Sequence, residues 1–153
     1  MYWQKYNNFL KLLLRNRKLL EEAVTDARAE QLKNKGDDQV RDKYQQSNPT
    51  AQLAIKKASR IRKVCFLLPR GGYLTLYRPE QWLDVINNVY GAYDAKHIGV
   101  LLHEHFDDGR SLDLLAGFHG ISRQSAFDLR RDFLADAAFM AAMQGLLGKN
   151  PEK

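Results

Sequence analysis

A chain of 153 residues with 44% apolar side chains is long enough to bury a hydrophobic core, which excludes disorder along its whole length. The single cysteine, Cys65, excludes an internal disulfide and a cluster of thiolate metal ligands, and no apolar run approaches the roughly 20 residues of a membrane helix. We therefore expect a cytoplasmic protein that has no cofactor, no bound metal and no membrane partner.

Charge is distributed unequally along the sequence, although the net charge of the whole chain is +6. Residues 1–79 contain 17 Lys and Arg against 7 Asp and Glu, whereas residues 80–153 contain 7 against 11. The first half is therefore basic and the second half acidic. A basic surface favours a polyanionic partner, and we expect the first half to provide most of the affinity for it.

Residues 3–33 are predicted to form one long helix that ends near Gly36. Its apolar residues have two interpretations, namely the seam of a homo-oligomer or a face packed on the rest of the chain. Residues 33–50 are polar and are predicted to be a linker. The predicted domains are thus a helical arm with its linker at 1–47 and a helical domain at 48–153. The apolar residues of the arm recur at steps of three, four and seven, with a last step of five: Tyr6, Phe9, Leu13, Leu20, Val24, Ala27 and Leu32.

A second helix is predicted from Ala51, because small and apolar residues recur at steps of three and four as far as Leu68. Cys65 lies on this apolar face and is expected to be buried. Its opposite face is basic, and we predict that this face contacts DNA phosphates, the alternative being a solvated surface. Residues 64–68 are ambiguous, because the turn "PRGG" and the apolar run after it also fit a β-hairpin at 64–77. The basic residues are Lys56, Lys57, Arg60, Arg62 and Lys63.

Two further helices are predicted at 79–90 and 94–106. The first has a stripe of Trp82, Val85, Ile86 and Val89, and the second would bury Ile98, Leu101, Leu102 and Phe106.

Catalytic and metal-binding patterns are weak throughout the sequence. His103 and His105 are two residues apart, so on a helix their side chains point in different directions and do not converge on a metal. No nucleophile with a neighbouring base can be identified from the spacing, and we predict that the protein is not an enzyme.

The stretch 111–134 has the spacing of a helix-turn-helix motif. Ser111 and Ser122 are candidate N-caps, and Gly120 stands where the turn needs a left-handed backbone. Ala116 is small, as a close crossing of the two helices requires, and Ile121 is expected to enter the core.

If the second helix of this stretch enters a major groove, its N-terminal residues face the base edges. This placement predicts base contacts by Arg123, Gln124, Phe127 and Asp128. Ser122 and Arg131 would then lie near phosphates. The alternatives are a helix pair that contacts another protein and a helix pair that only packs within its own domain.

The helical arm, the segment "NPTAQLAIKKAS" and the C-terminal "SLDLLAGFHGISRQSAFDLRRDF" together resemble phage transcriptional regulators of the ArpU and RinA type. The resemblance is strongest within residues 80–138. It implies an all-α fold whose C-terminal bundle is similar to the sigma-factor domain that recognises the promoter −35 element. It also implies a sequence-specific regulator in the host-cell cytoplasm, with double-stranded DNA and RNA polymerase as partners. Alternatives are a phage terminase small subunit, which also joins a helix-turn-helix to an oligomerising region, and a protein-interaction adaptor.

Overall fold

A computed structural model describes residues 2–39, 60–96 and 98–148. Within these ranges the chain is mostly helical with one small antiparallel hairpin, as the sequence predicts. No helix in the described ranges has both the length and the hydropathy of a membrane span. After a short 3-10 helix at Tyr2–Tyr6, the elements in chain order are α1 (Asn7–Arg15), α2 (Arg17–Gln39), β1 (Lys63–Leu67), β2 (Tyr73–Tyr77), α3 (Pro79–Asp94), α4 (Gly99–Phe106), α5 (Leu112–Phe118) and α6 (Arg123–Met143).

The chain divides into two compact units. One combines Met1–Lys18 with Gln81–Lys153, and the other is Leu19–Glu80. The domain boundary that we predicted between residues 47 and 48 lies outside the described residues.

The predicted helix over residues 3–33 is interrupted at Asn16. This residue leaves the helical conformation (φ −110°, ψ 23°), and its side-chain amide donates a hydrogen bond of 2.8 Å to the carbonyl oxygen of Leu12. An asparagine side chain that bonds to the backbone in this way competes with helix continuation. The predicted end at Gly36 is wrong, because α2 continues to Gln39. Glycine lowers helix propensity by only about 1 kcal/mol, which does not by itself end a helix.

Aromatic side chains form much of the core of the first unit. Phe9 of α1 meets Trp82 edge to face at 5.4 Å between ring centroids, and Phe133 of α6 contacts Tyr90 and Tyr93 of α3 at 4.9 and 5.1 Å. In addition, α1 packs on α4 and α6. The apolar face of residues 7–15 is therefore buried within the first unit.

The apolar stripe predicted for α3 is confirmed, since all four of its residues are buried. In α4 the predicted burial is confirmed for Leu101, Leu102 and Phe106. It is wrong for Ile98, which is exposed because the helix begins only at Gly99.

Residues 64–77 of the second unit form the β-hairpin, which is one of the two structures that the sequence allows for this segment. β1 pairs antiparallel with β2, from Lys63 opposite Tyr77 to Leu67 opposite Tyr73. At the turn, Leu68 N–H donates to the Gly72 carbonyl oxygen at 2.9 Å. The helix predicted from residue 51 is therefore wrong for its described part.

Side-chain alternation along β1 explains a second correction. A strand has a period of two residues, so neighbouring side chains point to opposite faces. Val64 is buried, and Cys65 is exposed rather than buried as predicted. Residues 51–59, with Lys56 and Lys57, lie outside the described residues.

Candidate nucleic-acid interface

The two helices predicted at 111–134 are present as α5 and α6, and both have serine N-caps. The hydroxyl oxygen of Ser111 accepts a hydrogen bond from Leu114 N–H at 3.3 Å, and that of Ser122 accepts one from Ser125 N–H at 3.0 Å. Between the helices, Gly120 has a φ of +68°, the left-handed conformation that the sequence predicts. Ser111 therefore marks the start of α5, and Gly120 with Ser122 fixes where α5 ends and α6 begins.

Small residues allow α5 and α6 to pack closely. Ala116 on α5 and Ala126 on α6 are both buried. Ile121 N–H donates to the carbonyl oxygen of Ala116 at 3.0 Å, yet the Ile121 side chain is 38% exposed. The prediction that this side chain enters the core is therefore wrong. The local core is formed by Leu101, Leu112 and Leu115, with Phe127 and Leu129 packed against it.

The first two turns of α6 present polar side chains to solvent. Arg123 is 74% exposed, and its Nε lies 2.7 Å from Oδ1 of Asp113 on α5. Gln124 donates a hydrogen bond of 3.1 Å from Nε2 to Oδ1 of Asp128. The guanidinium carbon of Arg123 lies 5.3 Å from the centroid of the Phe127 ring, and that of Arg130 lies 5.0 Å from it. The side chains of Arg123 and Gln124 are exposed at the start of the helix, as contact with base edges requires, whereas Phe127 and Asp128 are only partly exposed.

One open groove of about 660 Å³ contains all four predicted base-contacting residues. Asn7 and Lys11 of α1 also line it, so the groove lies between α1 and the N-terminal half of α6. The structure thus brings the four residues together on one surface. The groove is lined by Asn7, Lys11, Arg123, Gln124, Phe127, Asp128, Arg130, Arg131 and Leu134.

The two predicted phosphate contacts near α6 differ in their surroundings. Arg131 lines the groove and is exposed, but it pairs with Asp128 at 3.1 Å and with Asp132 at 3.4 Å. Ser122 is exposed and caps the helix, so its hydroxyl is already used by Ser125. Carboxylates therefore compete with phosphate for the guanidinium of Arg131.

Three cations that sequence reasoning missed lie beside this face. Lys11 and Arg130 line the groove, and Arg15 follows Lys11 by four residues on α1. Burial, followed by the positive charges of Arg130 and Arg15, lowers the pKa of Lys11. Burial and then Arg15 lower the pKa of Arg130 in the same way. The spacing of Lys11 and Arg15 predicts a shared helix face, but only the tertiary fold brings that face to α6.

The remaining predicted phosphate contacts lie in the other unit. Arg60 and Arg62 are exposed in a segment that belongs to no helix or strand, and Lys63 is exposed at the first residue of β1. They do not form the basic helical face that the sequence predicts. These three cations therefore belong to a different compact unit from the α6 residues.

The two neighbouring histidines contact different groups. The ring nitrogens of His103 lie 3.3 Å from Asp94 and from Asp107, whereas Nδ1 of His105 lies 2.7 Å from the carbonyl oxygen of Arg110. Among the described residues, no group of three His, Cys, Asp or Glu side chains could hold a metal ion.

The chain was compared with protein-family models, with curated proteins and with solved structures, and none of these comparisons gives a match. The case for a function therefore depends on the geometry of α5, α6 and the groove.

Proposed function

We propose that the protein binds double-stranded DNA in a sequence-specific manner and regulates transcription. In this proposal α5, the turn and α6 act as a helix-turn-helix, and the first turns of α6 enter the major groove. The observation that carries it is the polar start of α6, directly after a capped turn, where Arg123 and Gln124 are exposed and Phe127 and Asp128 are partly exposed. The left-handed glycine and the small residues at the crossing of α5 and α6 support the same motif.

Each of the four side chains has a suitable base partner in the major groove. Arginine forms two hydrogen bonds with O6 and N7 of guanine, and glutamine forms two with N6 and N7 of adenine. The Phe127 ring suits a thymine methyl group, and a carboxylate such as that of Asp128 accepts from N4 of cytosine. In the free protein Asp113 contacts Nε of Arg123, and Asp128 accepts a hydrogen bond from Nε2 of Gln124. These contacts leave both Nη groups of Arg123, and the second amide hydrogen and the amide oxygen of Gln124, for the bases.

The resemblance to ArpU and RinA regulators extends the proposal to its biological setting. It favours a phage-encoded regulator in the host-cell cytoplasm that acts at promoters, with RNA polymerase as a second partner. The proposed role needs no catalytic group and no cofactor, because recognition depends on non-covalent contacts alone.

An adaptor that contacts another protein is the second candidate, and one observation favours it. Leu114 and Phe118 are one helical turn apart on α5 and are 67% and 78% exposed. Adjacent exposed apolar side chains are common at protein interfaces. In the adaptor interpretation this pair is the centre of the contact, and the polar face of α6 remains solvated.

Selection of bound fragments from a random duplex library tests the proposal directly. The wild-type protein should enrich one sequence, and Arg123→Ala should relax the preference at one position of it, at a cost of about 1–3 kcal/mol. Lys96→Ala is the control, because it removes an exposed cation that does not line the groove. If the wild type enriches no sequence, specific DNA binding is wrong. If Leu114→Ser then abolishes capture of RNA polymerase, the adaptor is favoured.

A further inference from the structure

The strongest unexplained feature of the first unit is a group of three cations, Lys11, Arg15 and Arg130. We refer to these residues as the α1–α6 basic cluster. Lys11 and Arg130 line the groove of the predicted base-contacting residues, and Arg15 is close enough to both to lower their pKa. None of the three forms an ion pair with a carboxylate of the described residues, although Arg130 contacts the ring of Phe127.

Other arginines of the same unit are neutralised by nearby carboxylates. Arg123 pairs with Asp113, Arg131 with Asp128 and Asp132, and Arg17 with Asp107. These carboxylates of the acidic second half of the chain are therefore already engaged. The α1–α6 basic cluster is left with net positive charge next to the polar face of α6.

Like charges that are close together repel each other and so oppose folding. The positive charges of the cluster also act on a buried side chain, His105. The imidazole of His105 is buried, and its pKa is lowered, first by burial and then by the charges of Arg130, Arg15 and Lys11, against a hydrogen bond to Arg110 that raises it. A group of neighbouring cations without counter-ions has a higher free energy than the same group with a bound anion. The arrangement is therefore suited to an anion that comes from outside the chain.

We propose that Lys11, Arg15 and Arg130 bind consecutive phosphate groups of the DNA backbone next to the bases contacted by α6. This inference rests on the proposed function and adds a source of affinity to it. Guanidinium groups bind phosphate oxygens through two parallel hydrogen bonds, and an ammonium acts as a point charge. In this arrangement α1 supplies affinity for any duplex, and α6 supplies the choice of sequence.

The experiment compares the salt dependence of DNA binding between charge-matched variants. Lys11→Gln with Arg15→Gln removes two positive charges from the cluster. Lys18→Gln with Lys96→Gln removes two exposed charges that do not line the groove. The cluster variant should weaken binding to the selected sequence and to an unrelated duplex by the same factor. The slope of log K against log salt concentration should become shallower by about 1.8, since each phosphate contact contributes about 0.9. The control pair should change this slope much less.

Several outcomes separate this inference from the proposed function. If the wild type binds neither duplex, both proposals are overturned. If the wild type selects a sequence but the cluster variant has the affinity and salt slope of the control, only the phosphate contacts are overturned. Unfolding by urea checks the fold, and the cluster variant should be at least as stable as wild type because it loses like-charge repulsion. A cluster variant that is destabilised and keeps the wild-type salt slope would assign these residues a structural role instead.

Discussion

The guanidinium Nε of Arg123 lies 2.7 Å from the carboxylate of Asp113, so the first residue of α6 is tied to the first turn of α5. Both side chains are more than half exposed. An ion pair with that exposure stabilises a protein by about 0.2–1 kcal/mol at most. Its main consequence concerns binding, because the Asp113 carboxylate restrains the Arg123 guanidinium and places a negative charge beside the surface proposed to face DNA.

Asp113→Asn should therefore increase the affinity of the protein for its selected DNA sequence. The substitution releases the Arg123 guanidinium and removes a negative charge next to the proposed DNA contacts, and the exposed pair is weak enough that we expect roughly a two- to fivefold decrease in Kd. Fluorescence anisotropy with a labelled duplex measures the change. Asp84→Asn is the matched control, since Asp84 is an exposed carboxylate of α3 outside the groove. An equal gain from both variants would mean that only net charge matters.

Two glycines near the end of α5 should respond in opposite directions to alanine. Gly120 has a φ of +68°, where a Cβ costs about 1–2 kcal/mol, so Gly120→Ala should lower the free energy of unfolding by that amount. Gly117 lies within the helix, and an added methyl group there would meet no atom within 4 Å beyond its own stretch of helix backbone. Gly117→Ala should therefore raise the free energy of unfolding by about 0.5–1 kcal/mol. Urea unfolding measures both changes. A destabilised Gly117→Ala would contradict the helical, open environment of that residue.

The local features of α5 and α6 follow from sequence, because each depends on near neighbours. A serine N-cap forms its hydrogen bond with the residue three positions later, and the left-handed conformation of Gly120 depends on that residue alone. The burial of the α3 stripe also follows, because a period of 3.6 residues is clear over that segment.

Other features depend on tertiary contacts or on close competition between two local structures. The apolar residues at 61–68 fit a helical and a strand period equally well, so the hairpin could not be chosen over the helix from spacing. The α1–α6 basic cluster joins Lys11 and Arg130, which are far apart in sequence and meet only because α1 packs on α6. The interruption at Asn16 has a local cause, but asparagine is also tolerated within helices, so its presence alone did not predict it.

The buried imidazole of His105 should make stability depend on pH. Its side chain is buried at 7% exposure, Nδ1 is 2.7 Å from the Arg110 carbonyl oxygen, and its pKa is lowered from the usual 6.5, chiefly by burial. The unfolded chain therefore binds a proton at a higher pH than the folded chain. The stability that comes from burying the neutral His105 is fully present above pH 6.5. It is lost as the pH falls below 6.5, at no more than about 1.4 kcal/mol per pH unit.

Urea unfolding at pH 7.5 and pH 5.5 measures this dependence. His105→Asn removes the titrating group, and its side-chain amide can still donate to the Arg110 carbonyl oxygen. The difference in free energy of unfolding between the two pH values should be smaller in this variant than in wild type. An equal difference in both proteins would assign the pH dependence to other groups.

The close packing of α5 on α6 should make the crossing sensitive to side-chain volume. Ala126 is fully buried on α6, and Ala116 of α5 is buried as well. Ala126→Leu adds three carbon atoms at a fully buried position, so we expect side chains or the helix itself to move, which typically costs about 1–3 kcal/mol. Because the displaced helix carries Arg123 and Gln124, the selected sequence should also bind more weakly. Ala92→Leu on an exposed position of α3 is the matched control and should change the free energy of unfolding by less than about 0.5 kcal/mol. Equal stability of the two variants would show that α5 and α6 are not in close contact at Ala126.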